Sequence, residues 1–351
     1  MLLDEIERVV QESSRKLLQV SVPPVKYWLL VDTLGRDEGD SLLRKTVAEC
    51  KAYPPRMRLL ESMNEDGTWP ISRARKAAED AGPGPPIGWT YATMLQNLQL
   101  LEDYVTDREE AHIQAALEKI LSWQSEEGYI LGPKHDIFPF PQYNGYAVRD
   151  LFIYGMEKDL RVKKLADWLL SMQRHDGGWG VPFQQDVKYL PEYRAVRTSD
   201  FLQLVRKGET PESDPKGYTD VPSCIWTTLM VIRGLAHSRE YRRRREIRRG
   251  ADFVLDRFFK RNWRHSYYNS EIYWTRIKYP PYPGNGLTAL YWLTRLGYGP
   301  GDERMEKPIR WLLGARHGDG FWWQSDRPHA QKDQWITGFA VDVLNKYSEN
   351  K

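Results

Sequence analysis

The sequence predicts an all-α protein, an (α/α)6 barrel or toroid in which inner and outer helices alternate around a ring. One observation is a repeat: residues 59–69, 123–129, 168–179 and 311–322 each end an apolar helix, turn through glycine and finish on an aromatic residue. The other is a second set of helices between these repeats. A unit copied along a chain cannot bury its apolar face alone, so neighbouring copies must pack together.

The inner helices are predicted from apolar segments with few charges that begin at or just after Pro or Gly. Proline suits the first helical turn, where its missing N–H has no helical partner in any case. Segments that are apolar on most faces are expected inside the protein. They cover residues 25–35, 88–104, 145–156, 222–237, 286–297 and 334–347.

The outer helices are predicted from segments that carry charged stripes, at residues 41–63, 107–123, 160–173, 241–260 and 303–315. A further amphipathic helix, residues 2–18, is free to pack outside the last inner helix and close the ring. We therefore expect one domain over residues 1–351. We also expect Trp168, Trp179, Trp311 and Trp322 to be largely buried where the repeats pack.

Loop lengths differ between the two ends of the predicted ring. Connections from an inner to an outer helix are short, whereas those from an outer helix to the next inner one are long, as at 179–222 and 263–285. Long loops gathered at one end of a rigid scaffold commonly serve binding or catalysis. The functional site is therefore expected at the end where the inner helices begin.

Composition narrows the class of protein. The formal charge of +3 in 351 residues does not argue for a nucleic-acid partner, and two cysteines, Cys50 and Cys224, are too few for a disulfide framework. The N-terminal segment is acidic where a signal peptide is basic, and no window approaches the ~18 apolar residues of a membrane span. We expect a cytoplasmic protein without a cofactor.

The repeats resemble the QW repeat of terpenoid cyclases and the related repeat of protein prenyltransferase β subunits. The residues that carry the resemblance are Trp168-Leu-Leu with Gln173 and Gly177-x-Trp179, and Trp311-Leu-Leu with Gly320-x-Trp322. The resemblance covers most of the chain and implies the toroid fold. It also implies a protein that handles isoprenoids, such as a cyclase or a prenyltransferase.

The catalytic motifs of these families are absent. There is no Asp-x-Asp-Asp segment for protonating an alkene; Asp220, in a similar position before an inner helix, is the acid that the resemblance favours, with Asp333 as a second catalytic candidate. The Asp-x-Cys and His zinc ligands of the prenyltransferases are not matched either, since Asp220 and Cys224 are too far apart and Ile336 takes the histidine position. No metal site is expected.

The chain is rich in aromatic residues, with 14 Trp and 20 Tyr, which either pack between helices or line a cavity. Aromatic faces would stabilise a carbocation or stack on a flat substrate. Basic side chains at the same end of the ring would bind a diphosphate or carboxylate. The predicted substrate-binding residues are Trp89, Tyr91, Trp226, Tyr282, Asn285, Trp323, Trp335, Lys216 and Lys278.

Charged residues also occur inside the apolar segments and in one arginine-rich run. Asp150 and Asp342, inside apolar helices, are expected to form ion pairs, with Arg149, Arg233 or Arg295 as candidate partners, because an isolated buried charge is costly. The arginine-rich run 242–249 opens an outer helix at the opposite end of the ring. It is either a solvated helix face or a weak contact with an anionic membrane.

The leading hypothesis is thus an isoprenoid-handling toroid, either a non-standard cyclase or a prenyltransferase, whose partner is an apolar or prenyl-diphosphate small molecule. Two alternatives remain open. A polysaccharide lyase or hydrolase on a similar toroid would use His135, Asp136, Tyr143 and Arg276. A non-catalytic binding protein or interaction scaffold needs no motif. A closed apolar pocket favours isoprenoid, an open polar groove favours glycan, and a filled centre favours a scaffold.

Overall fold

The computed structural model describes residues 2–80, 87–110, 112–133, 139–180, 191–193, 195–211, 222–262, 268, 270–281, 284–324 and 326–350. Its described part is helical, and its only β-structure is an isolated bridge between Gln124 and Ile130. No described helix combines the length and apolar character needed to cross a membrane. The all-α fold predicted from the sequence is confirmed.

Six inner helices form the ring, and each begins close to the predicted position. Proline lies in the first turn of the first and third, as the sequence predicted. They are α2 (Pro23–Trp28) with a π-helical extension (Leu29–Thr33), α6 (Trp89–Asp103), α8 (Pro141–Ile153), α11 (Ile225–Leu235), α14 (Gly286–Arg295) and α16 (Ala330–Glu349).

The outer helices lie between them in the chain. Asp side chains cap two of them, since Asp40 accepts backbone N–H bonds at the start of α3 and Asp159 at the start of α9. The outer helices are α1 (Leu2–Val20), α3 (Ser41–Lys51), α4 (Pro54–Glu61), α7 (Ile113–Leu121), α9 (Leu160–Ser171), α12 (Arg245–Asp256) and α15 (Glu306–Gly314). Three short helices lie in the long connections: α5 (Arg73–Asp80), α10 (Thr198–Arg206) and α13 (Ile272–Thr275).

Contacts between consecutive inner helices run around the whole ring. Helix α6 packs on α8, α8 on α11, α11 on α14, α14 on α16, and α16 on α2 with its π-helical extension. The remaining junction is made by Trp28, whose indole Nε1 donates to the main-chain oxygen of Asp103 at 2.8 Å. Helix α1 packs along α16. Every residue of α11 is buried, as expected for an inner helix.

The closest inner-helix pair, α8 and α11, depends on two glycines. A Cβ atom at Gly145 would lie 2.6 Å from the main-chain oxygen of Met230, and one at Gly234 would lie 2.2 Å from that of Gly145. Neither position leaves room for a side chain, so backbone meets backbone at this crossing. This role of the two glycines was not predicted from the sequence.

The repeated turns share one hydrogen-bond pattern. The indole Nε1 of Trp69, Trp179 and Trp322 donates to the main-chain oxygen ten residues earlier, at 2.9, 2.6 and 2.6 Å respectively. The glycine two residues before each tryptophan has a positive φ, between 79° and 91°, which a side chain would disfavour. Each indole therefore fastens its turn to the end of the preceding outer helix.

Two glutamines link these turns to the next outer helix. The Gln173 side chain donates to the main-chain oxygens of Gly177 and Glu246, at 2.7 and 2.6 Å. Gln124 makes the equivalent bonds to Gly128 and Arg161. The recurring glutamine thus joins successive repeats through backbone acceptors.

The burial expected of the four tryptophans is correct for two of them. Trp179 and Trp322 are fully buried. Trp168 and Trp311 are only half-buried, because they lie on the outer layer, where their rings contact Tyr129 and Phe259 at centroid distances of 5.4 and 5.8 Å respectively.

Candidate functional site

A cavity of about 740 Å³ occupies the ring between the C-terminal halves of the inner helices. All six inner helices or the residues directly after them contribute to its wall. The exposed Arg242 and Glu349 lie at its edge, so it opens to solvent at the end where the inner helices finish. The centre of the ring is therefore open rather than filled by side chains.

A smaller chamber of about 60 Å³ adjoins the cavity and extends toward the start of α14. The two spaces share part of their lining, including Glu102, Asp103 and Tyr291. Asn285 and Thr288 line the deeper end of the smaller one. The two form one site with a wide outer part and a narrow inner part.

The cavity opens at the opposite end from the one that the loop lengths predicted. The short connections after the inner helices leave the centre accessible there. At the other end, Tyr279 in the described part of one long connection stacks on Trp335 of α16. Much of the predicted rim, including residues 134–138, 181–190 and 212–221, lies outside the described residues.

Aromatic rings form much of the cavity wall. Trp335 lines the wall and is backed by the Tyr279 ring, with the two planes 2° apart and the centroids 4.6 Å apart. Phe339 packs edge-on against Tyr291 at 5.3 Å, and both line the cavity. Trp292 contacts His237 at 4.7 Å. Such a surface is apolar and presents negatively polarised ring faces. It suits an apolar ligand or one that becomes positively charged during reaction.

Asp103 is the carboxyl group best placed for chemistry. It is the last residue of α6, is buried, and lines both parts of the site. The hydroxyl of Tyr279 donates to its Oδ2 at 2.8 Å. Burial and the neighbouring carboxylate of Glu102 raise the pKa of Asp103 to about 7, although the Tyr279 hydrogen bond acts in the other direction. Near neutral pH this carboxyl is therefore poised to release a proton.

Glu102 lies beside Asp103 and also lines both chambers. Burial raises the pKa of its carboxyl, and the positive charges of Arg149, Arg233 and Arg295 partly oppose that effect. The negative charge of Glu102 disfavours ionisation of the neighbouring Asp103 carboxyl, so the two acids do not readily ionise together. The pair is thus suited to acid and base roles in the same cavity.

Buried basic residues lie behind the acids. Arg149 is fully buried and pairs with Asp150, whose pKa burial raises to about 7. Arg233 lines the smaller chamber, and burial together with Arg149 lowers its pKa. Burial also holds the pKa of His237 well below its usual range, so this imidazole is neutral at neutral pH. The arginines place positive charge where Asp103 would become negative.

At the cavity mouth, Arg295 bridges two acids from different helices. Its Nη2 lies 2.9 Å from Asp32, and its Nη1 pairs with Asp342. The guanidinium also lies 3.6 Å from the centre of the Tyr291 ring. Burial raises the pKa of Asp32 to about 6. The ion pairs predicted for Asp342 and Asp150 are both present, and they use Arg295 and Arg149.

Three of the predicted substrate-binding residues line the site. Trp335 lines the wide cavity, and Asn285 and Lys278 line the smaller chamber. Asn285 also caps α14, since its side-chain oxygen accepts the backbone N–H of Thr288 at 3.1 Å.

Four others lie outside the linings found for the two chambers. Tyr91 is fully buried and packs edge-on against Trp123, and Trp226 packs against Tyr143. Trp89 lies under the guanidinium of Arg75 at 4.7 Å, and Trp323 stacks on His317 at 3.8 Å. These aromatic residues pack between elements instead of facing the cavity.

Of the two predicted catalytic acids, Asp333 and Asp220, the structure describes only Asp333. Asp333 is buried at the start of α16, where its carboxylate accepts the backbone N–H groups of Gln324 and His329. It fastens the preceding loop to the helix and is absent from the lining of both chambers. Asp220 lies outside the described residues, as do Lys216 and Tyr282.

Two residues of the glycan-binding alternative, His135 and Asp136, also lie outside the described residues. Tyr143 is buried against Trp226, and Arg276 is exposed. Cys224 accepts the backbone N–H of Thr227 at the start of α11 and the side-chain amide of Asn262. Within the described ranges, no three His, Cys, Asp or Glu side chains are grouped so as to hold a metal ion.

Sequence reasoning missed Glu102 and Asp103. The available signal was the pair of adjacent carboxylates that ends the apolar helix 88–104. Their significance depends on Tyr279, which is 176 residues from Asp103 in the chain.

No protein-family model matches the chain, and no curated protein matches it. Among solved structures, it is similar to a variant of the type II terpene cyclase MstE from Scytonema bound to the product merosterolic acid A, with 13% identity, 100% of this chain and 99% of that one covered, and a TM-score of 0.47. A second MstE variant, bound to its substrate geranylgeranyl dihydroxybenzoate, gives 12% identity, 100% and 99% coverage, and a TM-score of 0.46.

The ent-copalyl diphosphate synthase from Streptomyces platensis is also similar, with 12% identity, 93% of this chain and 50% of that one covered, and a TM-score of 0.40. The two MstE variants are type II terpene cyclases, which belong to the group that the sequence repeats resemble.

Proposed function

We propose that this protein is an isoprenoid cyclase that starts its reaction by protonating a carbon–carbon double bond, with Asp103 as the acid. The observation that carries the proposal is a carboxyl group with a pKa of about 7 in the wall of an aromatic-lined cavity. A general acid is most effective when its pKa lies near the working pH. The cavity volume of about 740 Å³ is in the range that holds a small-molecule ligand.

In the first step the Asp103 carboxyl transfers its proton to one carbon of the double bond. The π electrons form the new C–H bond and leave a carbocation on the other carbon. Asp103 becomes a carboxylate, which the Tyr279 hydroxyl hydrogen-bonds and the charges of Arg233 and Arg149 stabilise. These groups are in place before the charge develops, which lowers the barrier without reorganisation.

The carbocation is then attacked by a second double bond of the same molecule, which closes a ring and moves the positive charge. The faces of Trp335, Tyr291 and Trp292 are available to stabilise that charge. Loss of a proton from a neighbouring carbon to Glu102 ends the reaction as an alkene. Transfer of that proton from Glu102 back to Asp103 restores the starting state, so the product is an isomer of the substrate.

Asp220 remains a second candidate for the acid, on the resemblance noted from the sequence. The aromatic rings in the cavity wall favour the cyclase over the prenyltransferase version and over the glycan-processing alternative, although charged residues such as Asp32 and Arg295 also line the cavity. The open centre argues against a purely structural scaffold. We further propose that residues 1–351 form one domain closed by α1, and that the protein acts in the cytoplasm.

The test is to incubate the protein in D₂O with linear prenyl diphosphates, polyprenes and prenylated aromatic compounds. We expect a cyclic isomer that carries one deuterium on the carbon that was protonated. Asp103→Asn should abolish it, and Asp220→Asn, measured in parallel, identifies the acid if the first variant stays active. Products without deuterium, or no product from any of these substrates, would contradict the proposal.

A further inference from the structure

A dense group of arginines lies beside the mouth of the cavity. Residues 237–249 contain seven arginines and two glutamates. Four exposed arginines of this segment form what we call the mouth patch: Arg239, Arg242, Arg243 and Arg245. Arg244 pairs with Glu240, Arg248 covers the Tyr298 ring, and Arg249 donates to the His175 main-chain oxygen. The four mouth-patch side chains make no ion pair or hydrogen bond with described residues.

Arginines at the start of a helix are electrostatically unfavourable, and this segment places them there. Arg244 is the N-cap residue of α12 and Arg245 is its first residue. The N-terminus of a helix carries partial positive charge, so cations there are unfavourable and Asp or Glu would stabilise the helix. Only Glu246 follows that preference in the first turn. An unneutralised positive charge that stability does not explain indicates a role in binding an anionic partner.

The mouth patch belongs to the end of the ring where the cavity opens. Arg242 itself lines the cavity. The segment that carries it is held against α9 and the residues before it, because the Ser238 hydroxyl donates to Glu157 and the Tyr241 hydroxyl donates to Asp167 at 3.0 Å. The charges therefore flank the route by which a ligand would enter.

Exposed leucines lie at the same end. Leu160, the first residue of α9, is 79% exposed, which is the largest exposure among the large apolar side chains of the described residues. Leu34 and Leu42, which flank the connection from the π-helix to α3, are also exposed. Basic side chains next to exposed leucines are the combination found on surfaces that bind the interface of an anionic bilayer.

We propose that this end of the ring docks on an anionic phospholipid membrane through the mouth patch and Leu160, with the cavity mouth facing the lipid. The mouth-patch arginines are spread over three successive parts of the chain, the residue pair before the short helical turn Tyr241–Arg243, that turn itself, and the first residue of α12, which suits an extended charged surface better than a single soluble anion. A nucleic acid is the less favoured partner, because the formal charge of the whole chain is only +3.

The proposed function supplies only the purpose of membrane docking, which is the uptake of a water-insoluble isoprenoid. The docking itself does not depend on it. Binding to lipid is measurable without turnover. Asp103→Asn should bind vesicles as the unsubstituted protein does, since Asp103 is buried. Vesicle binding without cyclisation would support the docking surface and contradict the cyclase proposal. Cyclisation without vesicle binding would support the cyclase proposal and contradict the docking surface.

The experiment is flotation of the full chain with vesicles of phosphatidylcholine alone and with vesicles that contain about 30% phosphatidylglycerol. We expect binding only to the anionic vesicles, at about 0.1 M salt, and its loss at about 1 M salt, where charges are screened within roughly 3 Å. Replacing all four mouth-patch arginines with Gln should weaken binding roughly a hundredfold or more. Leu160→Ala should weaken it several-fold.

The matched control changes four exposed basic residues at the opposite end of the ring, R58Q, R73Q, K260Q and R261Q, which alter the net charge equally. It should bind vesicles like the unsubstituted protein. Melting temperatures establish that both variants fold. Equal binding to neutral and anionic vesicles, equal losses in both variants, or displacement from vesicles by RNA at low concentration would each overturn the proposal.

Discussion

The hydroxyl of Tyr279 donates a hydrogen bond of 2.8 Å to the carboxylate of Asp103, and the same tyrosine ring stacks on Trp335. The contact joins the loop before α14 to the end of α6. It places a hydrogen-bond donor directly behind an acid, Asp103, and an aromatic residue, Trp335, that line the cavity. The predictions on activity follow from this relationship.

The first prediction concerns the pH dependence of activity. Because the pKa of Asp103 is about 7, its protonated form is lost above that pH. If Asp103 is the acid, kcat/KM should fall about tenfold per pH unit at higher pH. The measurement is the pH–rate profile with the substrate that gives turnover. A profile that is flat from about pH 6 to about pH 9 would rule out Asp103 as the acid.

Tyr279→Phe should change that profile while keeping the stack on Trp335. The Tyr279 hydrogen bond lowers the pKa of Asp103, so its removal should move the falling limb to higher pH. Loss of a hydrogen bond to the carboxylate formed in the reaction should lower kcat about 10- to 100-fold. A merely structural role would lower activity without moving the limb.

Asp103→Asn should change how stability depends on pH. The folded pKa of Asp103 is raised above its unfolded value, so its contribution to stability is complete below about pH 4 and is lost as pH rises through about 7. The variant should therefore unfold at higher urea concentration than the unsubstituted protein at about pH 8, with the difference shrinking toward about pH 4.

Asp302→Asn provides the opposite control. Hydrogen bonds from Arg304 lower the pKa of Asp302, so its ionised form stabilises the fold above the unfolded pKa and that contribution is lost as pH falls. This variant should lose stability at about pH 8 and lose less at low pH. The same sign of pH dependence in both variants would contradict the assigned pKa shifts.

Trp179→Ala and Trp322→Ala should each lower the free energy of unfolding by about 3–5 kcal/mol, because both indoles are fully buried and each donates to a main-chain oxygen. Urea denaturation measures the change. Trp323→Ala is the control, since Trp323 is only half-buried and should cost about 1 kcal/mol or less. Comparable losses in all three would argue against the repeated indole contact as a structural unit.

Gly234→Ala should destabilise the protein by more than 1 kcal/mol, because its Cβ would overlap the main-chain oxygen of Gly145 and separate α8 from α11. Gly314→Ala is a matched helical control, since a Cβ there would meet no atom within 4 Å. It should be neutral or stabilise by up to about 1 kcal/mol. Thermal or urea unfolding distinguishes the two.

Ligand binding is testable without turnover. Prenyl diphosphates that bind the folded state should raise the melting temperature, by the equivalent of ~2.7 kcal/mol at a hundredfold excess over the dissociation constant. Lys278 lines the smaller chamber, so Lys278→Ala should reduce the shift, and Lys216→Ala tests the second predicted lysine. Asp103→Asn should keep most of the shift in melting temperature, because a catalytic acid stabilises the transition state more than it stabilises the bound substrate.

The sequence by itself determined the helices and their two layers. Apolar periodicity, helix-opening prolines and the Gly-x-Trp turns are local signals, and they predicted the inner helices within a few residues at most ends, as at α6 and α14. The sequence also predicted that Asp150 and Asp342 pair with arginines, because a buried carboxylate requires a cation.

Only the tertiary structure decided which residues face the cavity and at which end it opens. Whether Tyr91 packs or lines a site, and whether Asp103 is an ordinary helix end or an acid, depends on residues far away in the chain. Burial and charge at a side chain are sums over such distant neighbours, so local sequence does not encode them. The loop lengths indicated where long connections gather, but the short connections at the other end leave the cavity open.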